Sequence, residues 1–331
     1  MSGRLKALGL GRLGFGGAPL GNLYAPIGEV EALATVETAW NSGLRHFDTA
    51  PHYGHGLSEH RFGQVLRGKP RDEFVLSTKV GRLLSPASDA PSTQHGFVGT
   101  LPFVQRFDYS HDGVMRSFED SLQRLGLARI DIVYIHDIDR YTQNEAQPQR
   151  FREAMEGAYR ALERLRAAGA VRAIGLGVNN WEVCRDALKH GDFDGFLLAG
   201  RYTLLDQSAL PELLPLCVER GAGIVIGGPY NSGILATGPV PGARYNYAPA
   251  APEILSKAGR LEEQCRRFGV SLRAAALQFP FGHKAVLAVI PGARSPEEVK
   301  ENIALMSTPI PAEFWPSLRQ AGLLSAEVPT P

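Results

Sequence analysis

Cysteine is scarce in this chain. The three thiols, Cys184, Cys217 and Cys265, are odd in number among 331 residues and show no C-x-x-C spacing. That argues against a disulfide framework or a zinc knuckle and suits a reducing cytoplasm, where the chain is expected to work. Long apolar runs are missing too: nothing approaches the roughly 18 residues that a membrane span needs. The N-terminal MSGRLKALGLGRLGF has its short apolar runs broken by Arg and Gly, so neither export nor a membrane span is expected. Neither sign of charge is in excess, since 35 basic against 34 acidic side chains leave a net +1. No bulk field draws in nucleic acid or an acidic membrane, and the expected partner is a small molecule. Nothing reads as a coiled coil, which leaves monomer or homodimer as the expected states. What is plentiful is apolar side chain, 44% of the residues, enough for an extensive core.

Short β-rich runs alternate with helical patterns along the whole length. The runs are 13–18, 45–48, 74–79, 130–136, 171–178, 195–200, 223–228 and 285–290. Between them lie amphipathic stretches such as 29–43, 111–126 and 151–169, each ending at a Gly suited to a helix C-terminus. Eight strands with intervening helices predict a (β/α)₈ TIM barrel built as one domain over 1–331, with an open doubly wound sheet as the alternative. Segments 81–110, 229–251 and 307–331 read as long connections. The first two follow the third and seventh strands and belong at the C-terminal mouth, where loops cover a substrate.

The G-x-G-x-x-G from Gly9 to Gly14 looks like a dinucleotide fingerprint but lacks the preceding strand and following helix that one requires. It is read as a glycine-rich turn in a hairpin that closes the barrel bottom. The chemistry lies elsewhere. Asp48 and Tyr53 follow the second strand, Lys79 ends the third and His136 ends the fourth, and in a barrel these ends converge. A free phenol titrates near 10, so an ammonium from Lys79, held by Asp48, would favour the phenolate of Tyr53. His136 would orient a substrate oxygen for proton exchange with Tyr53 while hydride leaves the same carbon for a nicotinamide. No metal is required. The scatter of His52, His55 and His60 lacks a metal-ligand spacing.

RHFDTAPHYG (45–54), STK (77–79), DIVYIHD (131–137) and IGLGVNNW (174–181) together resemble the aldo-keto reductases over nearly the whole chain. The resemblance implies a catalytic tetrad of Asp48, Tyr53, Lys79 and His136. It also implies nicotinamide contacts from Asn179 and Asn180, a pyrophosphate loop at Gly228, Tyr230, Asn231, Ser232, Gly233 and Leu235, and an adenosine end at Gly292, Ala293, Arg294, Glu298, Glu301 and Asn302. Two positions depart from the family pattern: Ala199 stands where a Gln is usual, and Gly227 where an aromatic commonly stacks on the nicotinamide. Basic residues near the 2′-phosphate mark NADP users, whereas Gly292 and Glu298 stand here, so NAD is expected, with NADP possible through Arg294.

LGFGGAPLGNLY (13–24) and GRYTLLD (200–206) resemble a branch of the family that oxidises aldoses or pyridoxal with NAD. The expected reaction is oxidation of an aldose of the L-fucose or L-galactose type at C1 to its lactone. Oxidation of pyridoxal at C4 and NADPH-dependent reduction of aldehydes or ketones are the alternatives. Tyr24, His52, Trp181 and Arg201 are the candidate substrate contacts. A barrel that only senses nicotinamide redox state, and a metal-dependent hydrolase, are rivals from other classes.

Overall fold

The computed structural model describes residues 3–331. Eight parallel strands form one sheet in sequence order: β1 (Phe15–Gly16), β2 (His46–Asp48), β3 (Val75–Val80), β4 (Ile132–His136), β5 (Ala173–Val178), β6 (Gly195–Ala199), β7 (Gly223–Gly227) and β8 (Val286–Ile290). Parallel bridges Leu13–Val289 and Gly16–Gly292 join the last strand to the first and close a (β/α)₈ barrel. The strands are near-continuous apolar runs because their inner faces fill the barrel and their outer faces meet helices. Val75, Ile132, Tyr134, Ala173, Leu197, Val225, Ala288 and Ile290 form the inner cluster, separate from the much larger core beneath the helices.

The helices form where amphipathic periodicity and end signals agree. His111–Leu125 starts at Ser110, whose Oγ accepts from the Gly113 N–H at 3.1 Å, and it stops at Gly126 in the left-handed region. The 151–169 pattern forms a longer helical run, Gln147 to Ala167. A π turn at Ala154–Ala158 interrupts it where Gly157 passes the backbone of Tyr109 and Ser110.

Three expectations need correction. No hairpin closes the bottom: the helical turn Arg4–Ala7 does so, followed by the Gly9 and Gly11 bends. Leu5 enters the barrel because Gly195 leaves room for it; a Cβ there would lie 2.3 Å from Leu5 Cδ2. The connection 81–110 is an antiparallel ribbon, Arg82–Pro86 with Phe103–Phe107, capped by the pair Thr93–Gln94 and Phe97–Val98. The tail 307–331 is part of the outer layer: its helix Phe314–Gln320 buries Phe314, Trp315 and Leu318, and Trp315 packs against Phe279. All three cysteines are free and buried, and burial pushes the Cys217 and Cys265 thiols up to about 12. Among the described residues no helix is long and apolar enough to cross a membrane.

Candidate active site

The parallel register sets Asp48 beside Ser77, and Lys79 beside Tyr134. From there Lys79 Nζ reaches Asp48 Oδ2 at 2.7 Å and the Thr49 carbonyl at 2.9 Å, while Ser77 Oγ donates to Asp48 Oδ1 at 2.6 Å. The Lys79 stem needs a bare strand opposite, which Gly177 supplies; a Cβ there would crowd Lys79 Cε at 3.2 Å. Tyr53 sits in the turn after β2, with Lys79 Nζ 4.7 Å from its ring centre. The His136 ring stands edge-on to Tyr53, 6.1 Å between centres. The four residues expected from the sequence therefore meet in space.

Their protonation states differ from one expectation. Burial raises the Tyr53 phenol well above its ordinary value, the carboxylates of Asp48 and Asp137 raise it further, and only Arg82 opposes them. Lys79 is already bound to Asp48, so Tyr53 rests as a phenol rather than a phenolate. Burial, with Lys79 and Arg82 nearby, drives His136 well below its usual range and leaves a neutral imidazole. Burial also lifts Asp48, against the pull of Lys79 and Ser77.

Two cavities meet at Tyr53. The first, about 480 Å³, is a groove running from Asp48 and Tyr53 past Ala199, Gly227 and Ser232 to Glu298 and Asn302. The second, about 490 Å³, lies over Lys79, His136 and Asn179 beneath Phe97 and Tyr247. Of the predicted cofactor residues, Gly228, Tyr230, Asn231, Ser232, Gly233, Gly292, Arg294, Glu298, Glu301 and Asn302 line the groove. Asn179 lines the second lobe instead. The Asn180 side chain turns away, its Oδ1 accepting from the Tyr141 N–H at 2.8 Å. Leu235 and Ala293 are buried in the core and can offer only backbone.

The groove suits a nicotinamide dinucleotide. Its floor is small residues, including the two departures Ala199 and Gly227, so a flat ring can lie against backbone. Asn231 Oδ1 is buried there without a partner, and Tyr230 donates to Asn302 Oδ1 at 2.6 Å, leaving the Asn302 amide nitrogen for a ligand. The Arg294 guanidinium is committed to the carbonyls of Leu23, Ala25 and Pro26, and the Arg294 N–H donates to Glu298.

Tyr24 and His52 line the second lobe as expected for substrate contacts. Arg201 and Trp181 line neither cavity. Arg201 donates to Asn246 Oδ1 at 2.7 Å beneath the 229–251 loop, and Trp181 is covered by Arg185. Several residues of the site were not anticipated. Asp139 accepts from the N–H groups of Asn179, Asn180 and Thr142 and so ties the end of β5 to the loop after β4. Tyr141 Oη donates to the Asn246 carbonyl, and Ser232 Oγ accepts from the Tyr247 N–H, which places Tyr247 over both lobes. Arg82, Asp137, His95 and Phe97 complete the second lobe, and Arg273 pairs with Glu301 at the far end of the groove. The D-I-D spacing at 137–139 was the one available signal for Asp139, three residues past a strand end.

Pyridoxal 4-dehydrogenase of Microbacterium luteolum is 47% identical to this chain over 323 residues, 95% of this chain and 94% of that protein. D-threo-aldose 1-dehydrogenase of a Pseudomonas species is 40% identical over 329 residues, 98% and 96% of the two chains. L-galactose dehydrogenase of Arabidopsis thaliana is 30% identical over 313 residues, 92% and 88%. Among solved structures, the holo form of aldo-keto reductase AKR11C1 from Bacillus halodurans superposes with a TM-score of 0.74 at 26% identity, covering 96% of this chain and 93% of that one. The family model described as "Aldo/keto reductase family" matches residues 12–322, so the chain that builds this tetrad on a (β/α)₈ barrel belongs to the aldo/keto reductases and is an oxidoreductase that uses a nicotinamide cofactor.

Proposed function

We propose that this chain oxidises an aldose of the L-fucose or L-galactose type at C1 to its lactone, with NAD as the oxidant. The observation that carries the reading is the placement of Tyr53: it is wall to both a long groove with a small-residue floor and a polar lobe bearing His136. The sugar enters as its cyclic hemiacetal. Neutral His136 donates to the anomeric oxygen and fixes it, Tyr53 Oη accepts the proton of that hydroxyl, and the Lys79 ammonium stabilises the oxyanion on either side of the transfer. A bound nicotinamide supplies the two-electron acceptor at the same carbon. Asp48 holds the Lys79 ammonium in place through their 2.7 Å contact. Because Tyr53 rests as a phenol, it must ionise before it can act as a base, and oxidation gains as the pH rises.

NAD rather than NADP is supported by the far end of the groove. Glu298 and Glu301 present carboxylates there, while Arg294 is held by three carbonyls and Arg273 by Glu301. A dianionic 2′-phosphate would meet two carboxylates while both guanidinium groups are already engaged elsewhere. A second reading is favoured by the relatives: pyridoxal is also a cyclic hemiacetal, the same atoms would oxidise it to a lactone, and the pyridoxal 4-dehydrogenase shares 47% of its residues with this chain over the aligned length.

The test is NADH formation by purified protein with NAD or NADP against L-fucose, L-galactose, D-arabinose, pyridoxal and simple alcohols at mildly alkaline pH. Rapid NAD reduction by an L-galacto-configured sugar supports the first reading. Exclusive turnover of pyridoxal supports the second. Turnover only in reverse, with NADPH and aldehydes, overturns both.

A further inference from the structure

The lobe above His136 contains a buried ion pair that the mechanism does not use. Arg82 Nη2 donates to Asp137 Oδ2 at 2.5 Å, and the two residues are 6% and 7% exposed, so both charges have been taken out of bulk water. Such a pair adds little to stability over apolar residues of the same shape, so stability alone does not account for it. The surroundings hold it rigidly. The Arg82 guanidinium lies over the Phe107 ring at 4.5 Å, and its Nη1 donates to Gln105 Oε1, which also meets His52 Nδ1 at 2.9 Å.

Asp137 is fixed more tightly still. Its φ is 53°, a left-handed conformation that costs a non-glycine residue energy and persists only where neighbours over-determine it. They do so here: the Asp137 N–H donates to the Gly177 carbonyl, and its own carbonyl accepts from Gln143 Nε2 at 2.8 Å and from Tyr109 Oη at 3.2 Å. The result aims the carboxylate into the lobe, with Oδ2 3.4 Å from His136 Nε2. Its other oxygen, Oδ1, takes no hydrogen bond among the described residues. A carboxylate and a guanidinium are thus presented side by side, with Asp137 Oδ2 3.4 Å from the nitrogen that faces the reacting oxygen. Oxygens on neighbouring carbons of a ring are close enough together for one to meet His136 and the other this pair.

We propose that Arg82 and Asp137 are the specificity-determining pair of this lobe and bind the hydroxyl on the carbon neighbouring the reacting centre. In an aldose this is the 2-hydroxyl; in pyridoxal, whose reacting carbon is exocyclic, the nearest group of this kind is the phenolic 3-oxygen, one carbon further along. The inference rests on the hemiacetal reading given above and adds what selects the hemiacetal. A hydroxyl here donates to Asp137 Oδ1 and accepts from Arg82, two charge-assisted contacts that an aldehyde or alcohol without the neighbouring oxygen cannot make. Such a molecule would also leave the pair desolvated and partly unsatisfied, and that is how a polar site rejects a substrate lacking one group.

The experiment compares kcat/KM for L-fucose against 2-deoxy-L-fucose, and for pyridoxal against its 3-deoxy analogue. The comparison is made in the wild type, in Asp137→Asn, and in the double variant Arg82→Met with Asp137→Leu. The wild type should prefer the hydroxylated member of its working pair by roughly 10- to 100-fold, the range a charge-assisted hydrogen bond supports. In both variants that ratio should fall towards one. The double variant removes both charges together, so it is expected to fold even if Asp137→Asn, which strands the guanidinium, does not; NADH fluorescence on binding checks that it has. A merely structural pair would lower kcat/KM for both members alike and leave the ratio unchanged, and that result overturns the proposal, as does a wild-type ratio near one. If the wild type turns over no hemiacetal at all, the function reading falls and takes this one with it, an outcome distinct from turnover without discrimination.

Discussion

Replacing Lys79 with Met tests the tetrad where its electrostatics are most exposed to measurement. Lys79 and Asp48 are 1% and 2% exposed, so the substitution leaves a carboxylate in the barrel mouth with neither solvent nor cation to stabilise it. Removing one partner of a buried pair typically costs about 3–5 kcal/mol. A chain of 331 residues has an unfolding entropy of about 0.7 kcal/mol/K near its midpoint, so the loss corresponds to about 4–7 °C in Tm. The dependence on pH gives the sharper signature. Burial already raises Asp48, and Lys79 is the larger of the influences pulling it back, so without Lys79 the folded carboxyl moves further above its unfolded value of about 3.9. Between those two values the native state holds a proton that the unfolded chain has lost, and stability therefore falls as pH rises through the window. Melting curves at pH 5 and pH 8 should show the deficit relative to wild type to be smaller at pH 5. The double variant Lys79→Met with Asp48→Asn should recover most of the loss, because no charge is left unpaired. A Lys79→Met deficit that is the same at both pH values and persists in the double variant would refute the electrostatic account.

Four further outcomes can be measured directly. Tyr53→Phe should retain NADH binding and lose about 10²–10⁴-fold in kcat, since only the proton-transfer group is removed; activity within threefold of wild type would break the mechanism. In ultraviolet difference titration of the free protein against Tyr53→Phe, no Tyr53 phenolate should form below the ordinary phenol range near 10, because burial and two carboxylates raise this group. Glu298→Ala frees the Arg294 N–H and removes an acidic group from the adenosine end, so the ratio of kcat/KM for NAD over NADP should fall by roughly 3- to 10-fold, and an unchanged ratio would show that Glu298 does not discriminate. Asp139→Ala unties three N–H groups at the ends of β4 and β5 and should raise KM for the cofactor while lowering Tm by about 2–4 °C.

The barrel was legible because its strands are short runs such as IVYIH and GIVIG, buried on both faces and separated by amphipathic stretches, which is a local property of the chain. The tetrad was legible for the same reason. Asp48 and His136 end strands and Lys79 stands one residue before the end of its own, and the order of strands brings those ends together whatever the loops do. Other parts of the site depend on contacts that local pattern does not encode. Arg82 meets Asp137 across 55 residues, and Tyr141 meets Asn246 across 105. Asp137 and Tyr247 sit in left-handed backbone that their residue types do not announce. Arg201, a candidate substrate contact on sequence, is turned by the fold under a loop against Asn246. The N-terminal plug was missed because four helical residues are too few to show a period.

That plug seals a barrel already filled with side chains. With Leu5 and Leu10 against the inner cluster from below, the reacting centre is open to the C-terminal mouth, where Tyr247 hangs over the junction of its two lobes. A single residue thus roofs the place where both ligands meet: the 229–251 segment holds Tyr247 there through Ser232 and through the Tyr141–Asn246 contact, so cofactor and substrate share one ceiling.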